Sequence, residues 1–359
     1  MMKKTRIVVF LTVFLLAILS LVPSSIVQVD AKTKKDSIVK LIPGGESIGV
    51  KLNTAGVVVV GYHFLEHNGT RVSPSEMAKI KIGDIITHIN EQQVMNMHDV
   101  KKIVNEAGKE DSPITISIVR EKQSLKVNVQ PMKDEKNSGY QIGLFVRDSA
   151  TGIGTLTFIE PYSKKYGALG HIITDVDTKK AVKIKDGQLF FSKVTSIERG
   201  QHGKAGEKLA ELSVRHQKIG TIEKNSPFGI FGKIILPLSN EMNKKPLPVA
   251  RAKEGKAKIL TVIEGEKVEA FHIEIVNVTE QKVADTKGMV IKITDPRLLD
   301  KTGGIIQGMS GSPIIQDDHI VGAVTHVFVN DPSSGYGVHI DWMIEETTQL
   351  KESLERKAG

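Results

Sequence analysis

From Tyr140 onward the chain is a succession of short apolar runs bounded by glycine or polar turns. They include T-L-T-F-I, A-V-K-I, K-I-I-L-P-L, A-K-I-L-T-V-I, F-H-I-E-I-V-N-V and M-V-I-K-I. Short runs rich in β-branched residues read as strands, and strands at this density predict a barrel or a sandwich. A chain with 32 glycines and only 5% aromatic residues supplies the tight turns such a fold needs. The stretch H-I-D-W-M-I-E-E-T-T-Q-L-K-E-S-L-E-R-K predicts one closing helix, and Asn243 to Lys258 reads as an exposed basic loop.

The region before it is built differently. Residues 38–132 open with L-I-P-G-G-E-S-I-G-V-K-L and the β run A-G-V-V-V-V-G-Y. V-S-P-S-E-M-A-K-I-K-I-G-D-I-I-T-H-I-N follows, a short helical piece leading through a Gly-Asp turn into a strand. Asn96 is placed as an N-cap with Asp99 three residues on, Val100, Ile103, Val104 and Ala107 fall at helical spacing, and Gly108 is placed to end the helix. P-I-T-I-S-I-V and L-K-V-N-V complete an α+β module. This order resembles a PDZ domain of the bacterial protease type. The resemblance implies a peptide-carboxylate loop at Ser47, Ile48, Gly49 and Val50, beside which an extended peptide adds as a strand. Pro131 to Gly139 is polar and rich in breakers, so residues 133–139 read as a linker to a second domain, 140–359.

At 359 residues two domains of ordinary size are expected, and 40% apolar with 25% charged residues is a globular composition. The net charge of +8 is dispersed, with no aromatic-interleaved basic stripe to suggest nucleic-acid binding. The absence of cysteine excludes disulfides, zinc-thiolate sites and cysteine nucleophiles. Residues 1–31 combine a basic M-M-K-K-T-R start, an apolar run from Ile7 to Val22 and small positions at Val29 and Ala31. That is the pattern of a signal peptide or membrane anchor, and it predicts export of the rest.

G-I-I-Q-G-M-S-G-S-P (304–313) holds the candidate chemistry. Serine hydrolysis needs a hydroxyl on a tight turn, a histidine to take its proton, a carboxylate to orient that histidine, and N–H groups aimed at the oxyanion. Glycines flanking Met309-Ser310 permit such a turn, with Gly308 and Ser310 as the N–H donors, and the strand–turn–strand pattern after it is the setting of the nucleophile in chymotrypsin-like double barrels. Ser312 is the rival, restricted by Pro313. Of 11 histidines, His171 in Y-G-A-L-G-H-I-I-T-D-V-D-T has glycine-made room and precedes the serine by a barrel's length; His319, His326 and His339 follow the serine. Carboxylate candidates are Asp148, Asp175, Asp177 and Asp295; the last, in I-T-D-P-R, gives the chain order His, Asp, Ser.

G-A-L-G-H-I-I-T-D-V-D-T, I-T-D-P-R-L-L, G-G-I-I-Q-G-M-S-G-S-P-I-I-Q-D and V-R-D-S-A-T-G-I-G-T-L-T-F, behind a PDZ-like module and an apolar N-terminus, together resemble the stage IV sporulation protein B family of endospore-forming bacteria. The resemblance implies a mainly β chain, a PDZ domain followed by a chymotrypsin-like double β-barrel, acting as a serine endopeptidase with His171 as base, Asp295 as its carboxylate and Ser310 as nucleophile. It implies no cofactor and no metal. It further implies a forespore-derived enzyme, in the space between the forespore membranes, that cuts a membrane-bound regulator of an intramembrane metalloprotease and thereby triggers processing of a late sigma factor precursor. Self-cleavage, with the PDZ domain in self- and partner recognition, belongs to the same expectation. The competing expectation is a non-catalytic, PDZ-led binding protein on a protease-like scaffold.

Overall fold

The computed structural model of the chain describes residues 39–67, 69–135, 139–212, 217–236 and 244–358. The expected signal or anchor segment lies outside these, and among the described residues no helix is long and apolar enough to cross a membrane.

In the first module the strand Ser47–Tyr62 pairs with Ile85–Ile89 (Val57 opposite Ile86), which pairs with Ile114–Arg120 and through it with Gln123–Val129. Val57, Val59, Ile86, Ile116, Val100 and Val104 lie in one buried cluster between this sheet and the helix Met97–Lys109. The helix begins as its sequence predicts, Asn96 Oδ1 accepting the Asp99 N–H at 3.0 Å. It does not stop at Gly108. That glycine is buried inside the helix because the Tyr140 ring packs there; a Cβ would lie 2.1 Å from the ring.

Two barrels follow from the alternation of the remaining strands. Gly255–Val262, Val268–Val278, Met289–Ile293, Asp331–His339, His319–Phe328 and Pro313–Gln316 close on themselves around Ile259, Phe271, Ile273, Ile291, Met309 and Ile314. The other ring is read from its registers. Ser47–Tyr62 pairs with Leu144–Ile159, that with Lys165–Ala168, and that with Gly229–Lys233. A single bridge, Gly220 to Ile234, carries the ring to Lys218–Ile222, which pairs with Ile184–Glu198, which returns to Ser47–Tyr62. Ile48, Val50, Leu52, Leu156, Leu189 and Ile222 fill its interior.

Two expectations change here. The expected linker at residues 133–139 lies partly outside the described residues, while Ser47–Tyr62 and Leu144–Ile159, each 16 residues, run through both modules. Their register shifts between Arg147 and Ser149, where they pass from one sheet to the other. The second correction concerns Ser47, Ile48, Gly49 and Val50. Ile48 pairs with Gly154 on one side and with Phe191 on the other, so this segment has no free edge on which a peptide strand could add. It is buried barrel wall, not a carboxylate loop.

Candidate active site

The turn at Ser310 is assembled from both barrels. The helix Pro296–Thr302 ends on Gly303 in the left-handed region, and the chain then crosses to residues 307–312. Gln307 is bridged in parallel to the Glu207–Leu212 strand: its carbonyl accepts the Lys208 N–H at 3.0 Å and its N–H donates to Gly206 at 2.8 Å. In a planar trans peptide the carbonyl and the next N–H point in opposite directions. The Gln307 carbonyl is held on that strand, so the Gly308 N–H faces away from it. The Met309 carbonyl accepts the Ser312 N–H at 2.9 Å, which turns the Ser310 N–H outward by the same rule. Gly308 and Ser310, the two expected oxyanion donors, both line one cavity. The turn demands glycine on either side: Gly308 has φ +91° and Gly311 φ +92°, and a Cβ on Gly311 would lie 2.2 Å from the Thr155 carbonyl.

Thr155 is the residue that sequence reasoning missed. It is fully buried, its hydroxyl donates to the Gly308 carbonyl at 2.8 Å, and its N–H donates to the Ser310 carbonyl at 3.0 Å. Its own carbonyl accepts the Leu169 N–H at 3.2 Å, two residues before His171. One threonine thus ties the nucleophile turn to the histidine segment, and Thr157 repeats the device with the Gly311 carbonyl at 2.7 Å. The readable signal was a pair of hydroxyls on one face of an apolar strand, G-T-L-T-F.

His171 follows Leu169 and Gly170, both in the left-handed region, at the start of a hairpin that returns at Val182. The hairpin is fixed by Asn225, which bonds Ile173 through both N–H and carbonyl, and by Asp175, whose Oδ1 accepts the Asp177 and Thr178 N–H groups. Arg147 clamps it from the long strand, 2.9 Å from Asp175 and 2.7 Å from Asp177. Nδ1 of His171 lies 2.9 Å from the Ile172 carbonyl. That contact assigns the ring proton to Nδ1 and leaves Nε2 with the lone pair. Burial lowers the His171 pKa below its ordinary 6.5, so the ring is a neutral base at pH 7. His326, which follows the serine, stands with its ring centroid 5.0 Å from that of His171; burial first, then His171 and Lys287, lower its pKa as well. Replacing Arg147 with glutamine is expected to slow the reaction at Ser310 by up to about tenfold, by loosening the base rather than removing it. Faster amide hydrogen exchange across residues 171–182 would register the same change.

Asp295 is elsewhere. It caps the helix Pro296–Thr302, accepting the Arg297 N–H at 3.1 Å. Its oxygens also take the Arg297 guanidinium, at 3.1 and 2.9 Å, and the His272 N–H at 3.2 Å. The side chain is buried and has spent its acceptors on these groups, and His171 turns its Nδ1 to a main-chain carbonyl instead. The expected contact between Asp295 and His171 is not made. The physical reason is local: Asp before Pro at a helix start is a cap, and Arg297, two residues on from Asp295, completes an ion pair.

His171 and Ser310 do come together. Both line a cavity of about 630 Å³ with Leu169, Ile172, Gln307 and His326. Ser310 Oγ donates to the Thr325 carbonyl at 2.9 Å, so attack requires a χ1 rotation from that carbonyl toward the imidazole. Ser312, the rival, is fully buried and sealed from the cleft. Comparison with known families matches residues 138–344 to the SpoIVB peptidase S55 model and residues 47–130 to the PDZ model. The chain belongs to the SpoIVB peptidase S55 family. Among solved structures it is similar to the Rv3671c protease of M. tuberculosis in its active form, with 16% identity, 53% of this chain and 70% of that chain covered, and TM-score 0.31. The inactive form gives 15% identity, 55% and 83% coverage and TM-score 0.30. The PDZ domain of the SdrC-like protein of Listeria monocytogenes matches with 15% identity, 26% and 87% coverage and TM-score 0.21. No curated protein matches the chain. As a member of the S55 family it is a serine peptidase, mainly β, with an N-terminal PDZ domain ahead of the peptidase domain.

The first module of this S55 peptidase has its own groove, of about 550 Å³. It runs between the helix Met97–Lys109 (Val100, Val104) and the segment Ile142, Gly143, Leu144 and Val146. Its second wall is reached in sequence only after the expected linker, away from Ser47–Val50.

Proposed function

We propose that the chain is an exported endopeptidase in which Ser310 is the nucleophile and His171 its general base. The observation that carries this reading is one cavity lined by both residues together with Gly308. Nε2 of His171 takes the proton as Ser310 Oγ forms a bond to the peptide carbonyl carbon, and the carbonyl oxygen takes its negative charge to the two N–H groups. Collapse of the tetrahedral intermediate breaks the C–N bond, the leaving amine takes the proton from His171, and water repeats the sequence to free Ser310. The Ile172 carbonyl stands where a triad carboxylate would, orienting the base without a full negative charge.

The substrate we propose is a membrane-bound regulator of an intramembrane metalloprotease, cut in the space between the forespore membranes so that a late sigma factor precursor is processed. The likeness of the His171, Asp295 and Ser310 segments to the sporulation family supports this. The PDZ groove beside Val100 and Val104 would present the substrate, or a second copy during self-cleavage, by taking an extended apolar segment. The test is direct: purified protein is incubated with the regulator reconstituted in vesicles. Wild type is expected to cut it at one site and Ser310→Ala to leave it intact. Equal cleavage by both, or none by wild type, would remove the assignment.

A further inference from the structure

Lys208 is the one lysine in the described structure that is fully buried, with 1% of its surface exposed, and the chemistry above does not use it. It lies on the Glu207–Leu212 strand, a ribbon that pairs with Ile184–Glu198 of the first barrel. Its main chain holds the Gln307 carbonyl, the bond that aims the Gly308 N–H. Its side chain covers the same peptide: Cβ, Cγ and Cδ lie 3.1–3.2 Å from where a Cβ on Gly308 would be. The stem then enters the second barrel, and Nζ donates to the hydroxyl of Thr261, itself fully buried, at 2.8 Å. A single side chain therefore spans first-barrel ribbon, oxyanion turn and second-barrel wall. A buried amine is an expensive way to fill space, since an aliphatic side chain would fill it without desolvation cost.

We propose that Lys208 is a positioning residue for the oxyanion donor Gly308, its stem pressing the Gln307–Gly308 peptide onto the ribbon and its bond to Thr261 fixing that ribbon on the second barrel. The inference rests on Ser310 being the nucleophile. The groups facing Lys208 from each packed element are uncharged: Ile197 opposite it on the ribbon, Thr261 on the second barrel and Gly308 on the turn. With no carboxylate to hold an ammonium, burial lowers the pKa to about 7. The neutral amine, with its one acceptor, is the form that fits. Protonation favours withdrawal of the side chain toward water and frees the turn.

The test is the rate at which a fluorophosphonate labels Ser310, followed from pH 5 to pH 9. Lys208→Met keeps the stem and removes both the bond and the titration. It is expected to melt cooperatively like wild type and to label about tenfold more slowly at pH 8, a partial loss of one oxyanion donor. Thr261→Val should give a similar loss, and the double variant no more than either alone, because both remove one bond. The wild-type profile should contain a step near pH 7 that Lys208→Met lacks, which a merely structural lysine would not produce. Wild-type rates in both single variants, additive losses, or identical pH profiles would overturn the proposal. Should Lys208→Met not fold, Thr261→Val decides. No labelling of wild type would instead remove the nucleophile assignment itself.

Discussion

Replacing His171 with alanine is expected to slow the reaction of Ser310 with a fluorophosphonate by about a thousandfold or more, with no comparable change in melting temperature. His326 is the nearest imidazole, 5.0 Å from His171 between ring centroids, and lines the same cavity, but it follows the serine in chain order instead of preceding it. His326→Ala should therefore cost far less than His171→Ala. The pH dependence follows from the same burial. A base whose pKa lies below 6.5 stays unprotonated further into the acid range, so its limb of the rate profile must fall below pH 6.5. Steady labelling rates across pH values measure this without knowledge of the natural substrate.

Asp295→Ala is expected to act on stability. The carboxylate caps a helix, pairs with Arg297 and accepts the His272 N–H, and its removal leaves those donors unanswered. A lost cap and lost charged hydrogen bonds at a buried site cost about 2–3 kcal/mol. Chemical denaturation would measure it, and the labelling rate of the remaining folded protein should change by less than about tenfold. A triad carboxylate would give the reverse, a stable protein slowed about 10⁴-fold. The Arg297 hydrogen bond lowers the Asp295 pKa to about 2. A folded-state pKa depressed below the ordinary value of about 4 means that this contribution is present above pH 4 and lost as pH falls toward 2. Wild type and variant should therefore converge in stability only under strong acid.

What could be read from sequence was what local chemistry fixes. Asn96 with Asp99 and a 3.6-residue apolar spacing yield the helix Met97–Lys109, and the glycines around Ser310 yield the turn. His171 and Ser310 share a cavity although 139 positions apart, because chain order alone places one in each barrel of such a fold. Where sequence reasoning failed, a distant partner or a second local signal decided. Ser47–Val50 looked like a loop, but residues 152–155 and 189–191 close its edges, and nothing nearby in sequence announces them. T-D-P-R carries a catalytic reading in the sequence, but Asp295 sits as the N-cap before Pro296 and pairs with Arg297. Nothing in E-K-L-A-E-L marks Lys208 for burial; the packing of the second barrel against the ribbon buries it.

The Arg147 clamp also connects the two modules physically. Arg147 holds the His171 hairpin, and next to it Asp148 accepts the N–H of Met97 at the start of the groove helix at 2.9 Å. Both sit on the strand that forms one wall of the groove.

The most direct test of Ser310 as the nucleophile is to map where a fluorophosphonate attaches. After brief exposure of the folded protein, digestion and mass spectrometry should find one adduct, on Ser310, absent from Ser310→Ala and nearly absent from His171→Ala. An adduct on any other residue, or equal labelling of Ser310→Ala, would contradict the assignment.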